Sequence, residues 1–396
     1  MSGLEMAPRG IDLSRQLWRV LCPSAQLSLE HTLHGAQTFR WQSVEVQGAA
    51  RLEPSQGGDR GSAPRLGSVS CGVIGGRCVA LWEHPKAQVV YWSGLHPEEQ
   101  SEEDAARTLA CLADYFRLDE DLGALCRTWA GSSACFPRLS ERFGEVAEAL
   151  PGIRLLRQDP EQCVSAFICS QNNNAKRIKA MVDSLSSRYG QLLCSVGGAS
   201  FYRFPSLHTL AQIDEQSLRG LGFGYRAKYI PQTAAAILQH TEQLAAQHPA
   251  CQQAGHPLWA ALNAHRQLYH DVGNLWLHSL RLAPTEEARS QLQTLAGIGP
   301  KVGDCIALFC LDKLAVVPVD VHVQHLAAKY CGFKQSAASL TRSSYEAIAA
   351  ELVKAFPLHA GWAHNILFAG EFRQIAAPSK RPPTPAKKPE KRPRKM

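Results

Sequence analysis

The 396-residue sequence has 13 cysteines but no Cys-x-x-Cys pair. Cysteines paired at that spacing are typical of zinc sites, thioredoxin-type redox motifs and iron–sulfur clusters, so the sequence predicts none of these. No uninterrupted apolar run approaches the ~20 residues that a membrane-spanning helix needs. Residues 1–26 lack the apolar segment of a secretory signal. The odd number and scattered positions of the cysteines indicate reduced thiols in an intracellular protein. From the lack of a long apolar run we also expect no membrane association.

Excess positive charge is confined to the last residues of the chain. The segment 380–395 contains eight Lys or Arg residues and one Glu, which leaves 34 basic and 34 acidic residues in 1–379. An anion-binding surface on this neutral body would have to be local. We predict that 378–396 is a disordered basic tail that acts as a nuclear-import signal or a phosphate-binding arm, with a solvated tail of no function as the alternative. The protein is expected in the nucleus, and a mitochondrial pool is left open.

The hydrophobic pattern divides the chain into two parts. Strand-like segments dominate the first ~120 residues, and helical periodicity begins at Glu102. The segments 48–67 and 243–256 are predicted to be loops or insertions. The expected fold is α+β, with a small N-terminal antiparallel sheet domain followed by a mostly α-helical body. The pattern predicts strands at 27–33, 39–46, 67–74 and 77–82, and helices at 207–219, 228–247, 257–270, 286–295, 301–311, 321–331 and 344–355.

A Leu-x-Gly-Ile-Gly turn joins two predicted helices in the segment 286–311. Gly297 and Gly299 are expected to allow positive φ angles and the close approach of another backbone. Pro300 suits the first turn of the second helix, where its missing N–H costs nothing. Such a turn points unpaired N–H groups outward and is typical of a DNA-phosphate site. An ordinary tight turn between two helices is the alternative.

Lys301 and Asp320 make this hairpin a candidate catalytic site. Lys301 directly follows the turn, and Asp320 ends the apolar segment 317–319, where it is predicted to cap a helix. A partly desolvated lysine beside positive helix ends is expected to have a lowered pKa and hence a nucleophilic amine. A nearby carboxylate can stabilise a cationic sugar. Taken singly, a solvated lysine and a simple helix cap are the alternatives.

Several separated blocks resemble the helix-hairpin-helix DNA glycosylases that carry a Gly/Pro-rich turn and a catalytic Asp. Among these, the closest resemblance is to the eukaryotic-type 8-oxoguanine DNA glycosylase/lyase, over about residues 13–373. It implies an N-terminal domain at 14–150 similar to the TATA-binding protein and a helix-hairpin-helix domain at 151–377. Besides the hairpin, the resemblance is carried by the blocks 37–41, 153–160, 167–178, 221–229 and 360–363.

The resemblance implies a role for each matching residue. Lys301 would be the nucleophile that attacks the sugar C1′ and forms a Schiff base, and Asp320 would assist electrostatically. Asn172, Arg177 and Arg226 would hold the cytosine opposite the lesion, because Arg offers a fork of donors and cytosine offers acceptors.

Further matches concern the DNA stack and the extruded base. Tyr225 would wedge into the stack and stabilise the kink. Cys305 and Phe368 would sandwich the extruded base. His322 would contact a backbone phosphate, as would the turn that contains Gly297 and Gly299. Taken singly, buried Cys and Phe residues are more often simple core residues.

Two positions depart from the family pattern, and both belong to the base pocket. Ala36 stands where the subfamily usually has Gly, whose carbonyl accepts the N7–H that distinguishes 8-oxoguanine from guanine. His364 stands where the family has the Gln that reads the Watson–Crick edge of the damaged base. A neutral histidine offers one donor and one acceptor. A partial, protonation-dependent role, a rearrangement of Asn365 and a relaxed lesion specificity all remain open.

The resemblance implies a bifunctional DNA glycosylase and AP lyase of base excision repair. It would excise 8-oxoguanine, and ring-opened guanine, opposite cytosine in double-stranded damaged DNA, and nick the strand by β-elimination. A monomer is expected, with no cofactor requirement, no iron–sulfur cluster and no side-chain metal site; a cation held by backbone carbonyls near Leu295 and Ile298 is left open. The alternatives are a related glycosylase with altered or broader specificity and a non-catalytic DNA-binding protein, which would have no use for Lys301 and Asp320.

Overall fold

The computed structural model describes residues 10–35, 37–53, 63–95, 101–132, 135–253, 255–269, 274–334 and 340–373. Ala36, the basic tail and residues 54–62 of the predicted 48–67 insertion lie outside these ranges. Within them, no helix combines the length and the apolar character needed to cross a membrane.

The N-terminal part contains a six-stranded sheet with the order β3-β5-β6-β7-β2-β4. All its strand pairs are antiparallel except the short parallel pair of β2 and β4. The predicted small antiparallel sheet is therefore confirmed. The elements of this part are β1 (Gly10–Ile11), β2 (Leu17–Pro23), α1 (Leu29–Leu33), β3 (Gln42–Ala49), β4 (Arg51–Leu52), β5 (Arg65–Ile74), β6 (Arg77–His84), β7 (Val89–Gly94), α2 (Glu102–Tyr115), α3 (Leu122–Gly131) and α4 (Pro137–Ala149).

The predicted strand at 27–33 is wrong, because the structure has the short helix α1 there. Ser28 caps this helix by accepting a hydrogen bond from the His31 amide, and Glu30 lies in its first turn. A short apolar run does not distinguish a strand from a buried helix, and here the cap decides the outcome.

A mostly helical body follows, as the sequence predicts. Its two strands, β8 (Leu192–Val196) and β9 (Ala199–Tyr202), form a separate sheet with β1. The helices are α5 (Pro160–Ser170), α6 (Ala175–Tyr189), α7 (Leu207–Ala211), α8 (Glu215–Gly220), α9 (Tyr229–Gln247), α10 (Pro257–Leu268), α11 (Leu275–Leu282), α12 (Thr285–Leu292), α13 (Pro300–Cys310), α14 (Val321–Tyr330), α15 (Arg342–Ala355) and α16 (Ala360–Phe372).

Two details of the predicted helical body are corrected. The single helix predicted at 207–219 is two helices: α7 ends at Ala211, and Asp214 starts α8 as its cap by accepting from the Ser217 amide at 2.8 Å. The segment 243–256 is not a continuous loop, since α9 extends to Gln247 and a 3₁₀ turn spans Pro249–Gln252.

The helix α5 lies at the centre of the body and packs against α13. Asp159 caps α5 by accepting from the Gln162 amide at 2.9 Å, and Pro160 occupies its first turn. The rings of Phe167 on α5 and Phe309 on α13 stack with centroids 5.3 Å apart and an interplanar angle of 1°. This contact fixes α5 against the helix that carries Lys301.

A cluster of charges anchors the C-terminal end of α13. Asp312 accepts from Arg117 at 2.6 Å and from Arg157 at 2.9 Å, and lies 3.6 Å from Arg281. Burial opposes ionisation of Asp312, but Arg117, Arg281 and Arg157 outweigh it and lower its pKa well below the usual range. Because Arg117 follows α2, the cluster ties the N-terminal part to the helical body.

Candidate active site

The turn between α12 and α13 needs glycine at one position and not at the other. Gly297 has φ +77°, and an added Cβ would lie 2.6 Å from the Tyr229 ring, so only glycine fits. Gly299 has an extended backbone with φ −93°, and no atom lies within 4 Å of an added Cβ. The expected positive φ is therefore wrong for Gly299, and the close neighbour of Gly297 is a side chain rather than a backbone.

The N-terminus of α13 is open toward solvent. Gly299 occupies the cap position, and no side chain of the described residues caps this helix. The first intrahelical bond is donated by Gly303 to the Gly299 carbonyl at 2.9 Å. The amides of Lys301 and Val302 thus have no partner within the helix, which gives this end of α13 the character of an anion site.

The structure brings Lys301 and Asp320 to one pocket. Lys301 lies in the first turn of α13, and Asp320 caps α14 by accepting from the His322 and Val323 amides, each at 3.0 Å. Both residues line a pocket that Cys305 also lines, and the Lys301 amine hydrogen-bonds the Cys305 thiol. The predicted pairing of lysine and carboxylate is thus present as geometry.

The expected lowering of the Lys301 pKa is wrong. Cys305 raises the pKa of Lys301 most, burial opposes it, and Asp320 raises it further. Burial also raises the pKa of Cys305 to about 11, so near neutral pH this residue is an uncharged thiol and Asp320 is the neighbouring negative charge. The resting amine is therefore an ammonium group. The positive end of α13, on which the sequence-based expectation rested, is outweighed by the neighbouring Asp320 carboxylate.

The remaining walls of the pocket are mostly apolar and include the aromatic rings of Phe167, Phe309 and Phe368 and the imidazole of His364. The Phe368 ring lies 6.2 Å from the His364 ring and 5.9 Å from the exposed His322 ring, measured between centroids. His364 is buried, with 5% of its surface exposed. Burial lowers the pKa of His364 to about 4, with Asp320 acting against the shift and Lys301 adding to it. His364 is consequently neutral near pH 7.

The pocket is small, with a volume of about 60 Å³. Ligand pockets typically enclose ~300–1,000 Å³, so a purine needs side-chain movement to enter. A larger cavity of about 600 Å³ lies near the β5–β6 turn and α10 and contains neither Lys301 nor Asp320. We therefore assign the candidate chemistry to the smaller pocket.

A buried hydrogen-bond network links α13, which carries Lys301, to the segment that leads into Asp320. Asp304, one turn beyond Lys301 on α13, accepts from Arg289 at 2.7 Å and from the Tyr345 hydroxyl at 2.6 Å. The same hydroxyl accepts from the Val319 amide, next to Asp320, at 3.3 Å. Sequence reasoning missed this network. An acidic residue within an otherwise buried helix was the available signal, because such residues are buried only with partners.

The residues predicted to contact the opposite strand form a second cluster. The Gln171 carbonyl accepts from the Tyr225 hydroxyl at 3.2 Å and from the Arg226 Nε at 3.1 Å. Asn172, at φ +43°, provides a further carbonyl for Arg226 at 3.1 Å. Exposed Arg177 donates to the Gly222 carbonyl at 3.0 Å. The structure thus groups these side chains, with Arg226 buried and bonded to the turn, and Tyr225 43% exposed.

The hairpin, the pocket and this second cluster are joined by packing. Tyr229, which covers Gly297, meets the Tyr225 ring edge-on with centroids 6.2 Å apart. Phe167 lines the pocket, and the same helix α5 leads directly into the turn of Gln171 and Asn172. The sites therefore share one rigid framework.

Within the described ranges, no group of three or more His, Cys, Asp or Glu side chains is arranged to hold a metal ion. At the hairpin, the Leu295 carbonyl accepts from the Ile298 amide at 3.1 Å. A carbonyl oxygen has a second lone pair, so this geometry is compatible with the predicted backbone-bound cation, which stays a prediction.

Comparisons with known proteins agree with this architecture. The family described as HhH-GPD superfamily base excision DNA repair protein matches residues 165–355, and the 8-oxoguanine DNA glycosylase N-terminal domain matches 19–164. The chain is 35% identical over 347 residues to the N-glycosylase/DNA lyase OGG1 of Arabidopsis thaliana, which covers 87% of this chain and 78% of that protein. It is 33% identical over 288 residues to the N-glycosylase/DNA lyase of Saccharomyces cerevisiae, which covers 68% and 67%.

Solved structures share the fold. The 8-oxoguanine glycosylase/lyase of Clostridium acetobutylicum, in complex with DNA containing cytosine opposite 8-oxoG, has a TM-score of 0.60 at 21% identity, covering 88% of this chain and 93% of that one. The structure of MBOgg1 with a low-affinity DNA ligand has a TM-score of 0.63 at 22% identity, covering 90% and 94%. The predicted domain boundary at 150/151 stays a prediction. With family matches that together extend over residues 19–355, the chain belongs to the HhH-GPD superfamily of base excision DNA repair proteins and carries the N-terminal domain of the 8-oxoguanine DNA glycosylases.

Proposed function

We propose that the protein is a bifunctional DNA glycosylase and AP lyase that excises 8-oxoguanine, and ring-opened guanine, opposite cytosine. The observation that carries this proposal is the presence of the Lys301 amine and the Asp320 carboxylate in one pocket, between Cys305 and Phe368. Both relatives described above are named for the same two activities. A protein that only bound DNA would not need a half-buried lysine and carboxylate beside an aromatic wall.

DNA binding is attributed to the open end of α13. Its unbonded amides and the half-positive charge of the helix terminus suit a backbone phosphate, and His322 is exposed beside it. Asn172, Arg177 and Arg226 are proposed to hold the cytosine, and Tyr225 to occupy the space that the extruded base leaves. Since several Arg226 donors already bond the turn, we assign its cytosine contact to Nη1, which is bonded only at 3.5 Å, to the Phe223 carbonyl.

The proposed chemistry begins with transfer of one proton from the Lys301 ammonium to solvent water. The amine nitrogen then forms a bond to C1′ while the bond between C1′ and the base breaks, and the base leaves with the electron pair and takes up a proton from water. The bond between C1′ and the ring oxygen then breaks, a proton moves from the nitrogen to that oxygen, and the Schiff base forms. Water removes the C2′ proton, and the electron pair of that C–H bond expels the 3′ phosphate. Asp320 stabilises the positive charge that accumulates at C1′ and Nζ.

His364 is a poor acceptor for the lysine proton. The ordinary lysine pKa of 10.5 is raised here, whereas that of His364 is about 4. Because the two pKa values are shifted in opposite directions, transfer of the proton from Lys301 to His364 is strongly unfavourable. We therefore assign His364 to the base rather than to the proton of Lys301.

No cofactor is proposed, because the lysine itself supplies the nucleophile. The partner is double-stranded damaged DNA, and a monomer suffices, because the pocket and the second cluster belong to one chain.

A nuclear location, with a mitochondrial pool left open, is proposed from the composition of 380–395 alone. Removal of 378–396 from a fluorescent fusion, which should abolish nuclear accumulation, tests it.

Borohydride trapping tests the central proposal. A labelled duplex with 8-oxoguanine opposite cytosine is incubated with wild type, Lys301→Gln and the matched control Lys329→Gln, which removes an exposed lysine of α14. We expect a covalent adduct with wild type and the control and none with Lys301→Gln. An adduct that persists in Lys301→Gln would contradict the assigned nucleophile, and absence of any adduct in wild type would contradict the lyase activity.

A further inference from the structure

His364 is a buried polar side chain of the pocket whose hydrogen-bonding atoms have no partner among the described residues. Both of its ring nitrogens are buried, and neither meets a hydrogen-bond donor or acceptor of the described protein. A buried polar group without a partner requires an explanation, and ligand binding is a common one. The pocket volume of about 60 Å³ leaves room for about two waters at ~30 Å³ each, which an arriving base would displace.

The absence of a protein partner also leaves the proton position on the ring undetermined. The tautomer of a neutral histidine is normally set by the hydrogen bond that its second nitrogen makes. For His364 no protein group provides that bond within the described ranges. The imidazole can therefore present either a lone pair or an N–H to the pocket, at no cost in broken protein contacts.

The charged neighbours of His364 are engaged in other interactions and are not assigned to the edge of the base. Lys301 hydrogen-bonds Cys305 and is assigned to C1′, and Asp320 caps α14. Asn365 also lines the pocket, but it is half-buried at the rim. His364 is thus the buried polar side chain that remains available to a base stacked on Phe368.

Resting on the function proposed above, we propose that His364 reads the Watson–Crick edge of the extruded purine through one ring nitrogen whose tautomer adapts to the base. A guanine-type lesion presents an N1–H, which the lone pair accepts. An adenine-type lesion presents a bare N1, to which the N–H donates. The substrate class is therefore 8-oxopurines in general, since 8-oxoguanine and 8-oxoadenine share the C8 carbonyl and the N7–H and differ at this edge.

The test compares single-turnover excision of 8-oxoguanine and 8-oxoadenine, each opposite cytosine, so that contacts to the opposite base are constant. For wild type we expect the two rates to agree within about tenfold. His364→Glu provides an acceptor only, because a carboxylate beside the Lys301 ammonium stays ionised. We expect the ratio of guanine-type to adenine-type rates to rise by about 100-fold, since a site with a mismatched hydrogen bond strongly rejects the wrong base. The ratio cancels any effect of the new charge on Lys301 itself.

Two further variants keep the test decisive. His364→Met fills the space without hydrogen bonding and should lower both rates by about tenfold with an unchanged ratio. Glu371→Gln, on the same helix but paired with Arg142 outside the pocket, should leave the ratio unchanged. Thermal melting of each variant establishes that it folds. A wild-type ratio above about 100-fold, or an unchanged ratio in His364→Glu, would overturn the inference.

A duplex with an abasic site opposite cytosine separates this inference from the proposed function. Trapping of wild type on that duplex needs the lysine but no base in the pocket. If wild type traps there but the lesion ratios fail, only the role of His364 is wrong. If wild type does not trap there, the proposed lyase function itself is wrong.

Discussion

The two ends of α13 are built in opposite ways. At the C-terminal end, Asp312 is surrounded by Arg117, Arg157 and Arg281, and Lys313 donates to the Arg281 carbonyl at 2.8 Å. At the N-terminal end, no described side chain caps the helix, and the pocket beside it contains His364, whose ring nitrogens have no hydrogen-bond partner in the described part of the chain.

The polar groups at the C-terminal end of α13 stabilise the fold, whereas those at the N-terminal end are available to bind a ligand. The charges at the C-terminal end are paired with one another, so they contribute to stability and fix the helix between the two parts of the chain. Those at the N-terminal end are left unsatisfied at a cost in stability, which binding can recover. If this interpretation is right, substitutions at the two ends should differ in kind: loss of stability at one, loss of binding or rate at the other.

The largest effect on stability is expected for Asp312→Asn. Asparagine keeps the size of the side chain and tolerates the φ of +58° found here, but leaves buried Arg117 without a negative partner. We expect the free energy of unfolding to fall by about 3 kcal/mol at pH 7, measured by urea denaturation.

The pH dependence of this loss follows from the lowered pKa of Asp312. The stabilisation is complete above the pKa of an unfolded aspartate, about 3.9, and is lost as the pH falls toward the lower folded pKa. The difference between wild type and Asp312→Asn should therefore be constant from about pH 8 to pH 5 and shrink below pH 4. A difference that disappeared already at pH 6 would contradict the role assigned to this carboxylate.

At the other end of the helix, the rate should depend on pH through Lys301. Because the pKa of this amine is raised, its neutral fraction grows about tenfold per pH unit across pH 6–9. We expect the single-turnover rate of adduct formation to follow that growth, about 100-fold between pH 6 and pH 8. Cys305→Ala removes only an uncharged thiol in this pH range, so the growth of the rate with pH should persist in this variant. A wild-type rate that is flat above pH 7 would show that bound DNA lowers this pKa.

Alanine substitutions of the two hairpin glycines, Gly297 and Gly299, can be compared directly with each other. Gly297→Ala requires a positive φ and displaces the Tyr229 ring, so we expect a loss of about 2 kcal/mol in the free energy of unfolding. Gly299→Ala has space and an ordinary backbone, so its stability should change by less than about 0.5 kcal/mol, while the added methyl group faces the proposed phosphate. Urea denaturation together with DNA-binding titrations distinguishes the two. Equal destabilisation by both changes would refute the assignment of Gly299 to the ligand.

Tyr345→Phe tests the network behind the pocket, and its effect on stability should be smaller than those of Asp312→Asn and Gly297→Ala. It removes one donor from Asp304 and the acceptor of the Val319 amide, which costs about 1–2 kcal/mol. We expect a single-turnover rate lower by about tenfold at unchanged DNA affinity, because Asp320 is less firmly positioned. Tyr330→Phe on α14 is the control. A weaker affinity with an unchanged rate would mean that the network supports binding instead.

The sequence was most informative where chemistry lies along a continuous segment. Lys301 and Asp320 were predictable because a glycine turn, a proline and a cap are local signals with fixed spacing. The Asp304 network was not, because its members are 15 and 41 residues away and hydrogen bonding leaves no periodic pattern. The direction of the Lys301 pKa failed for the same reason, since it depends on Cys305 and Asp320 meeting in space.

The fold shows a similar division. Amphipathic helices such as α15 were predicted with nearly their observed bounds, because one apolar face repeats at helical spacing. The helix α16 was not predicted, because it is buried on most sides and begins at His359 without a side-chain cap. The helical segment α1 was mistaken for a strand because five residues are too few to establish a period.

The helix α5 sets the distance between the pocket proposed for the extruded base and the cluster proposed to contact the opposite DNA strand. Its eleven residues span about 16 Å, and only five positions separate Phe167 in the pocket from Asn172 in the turn. Inserting or deleting a single residue between them would rotate one relative to the other by about 100° about the helix axis. The length of α5 is therefore fixed by the need to keep the pocket and the second cluster in register with each other.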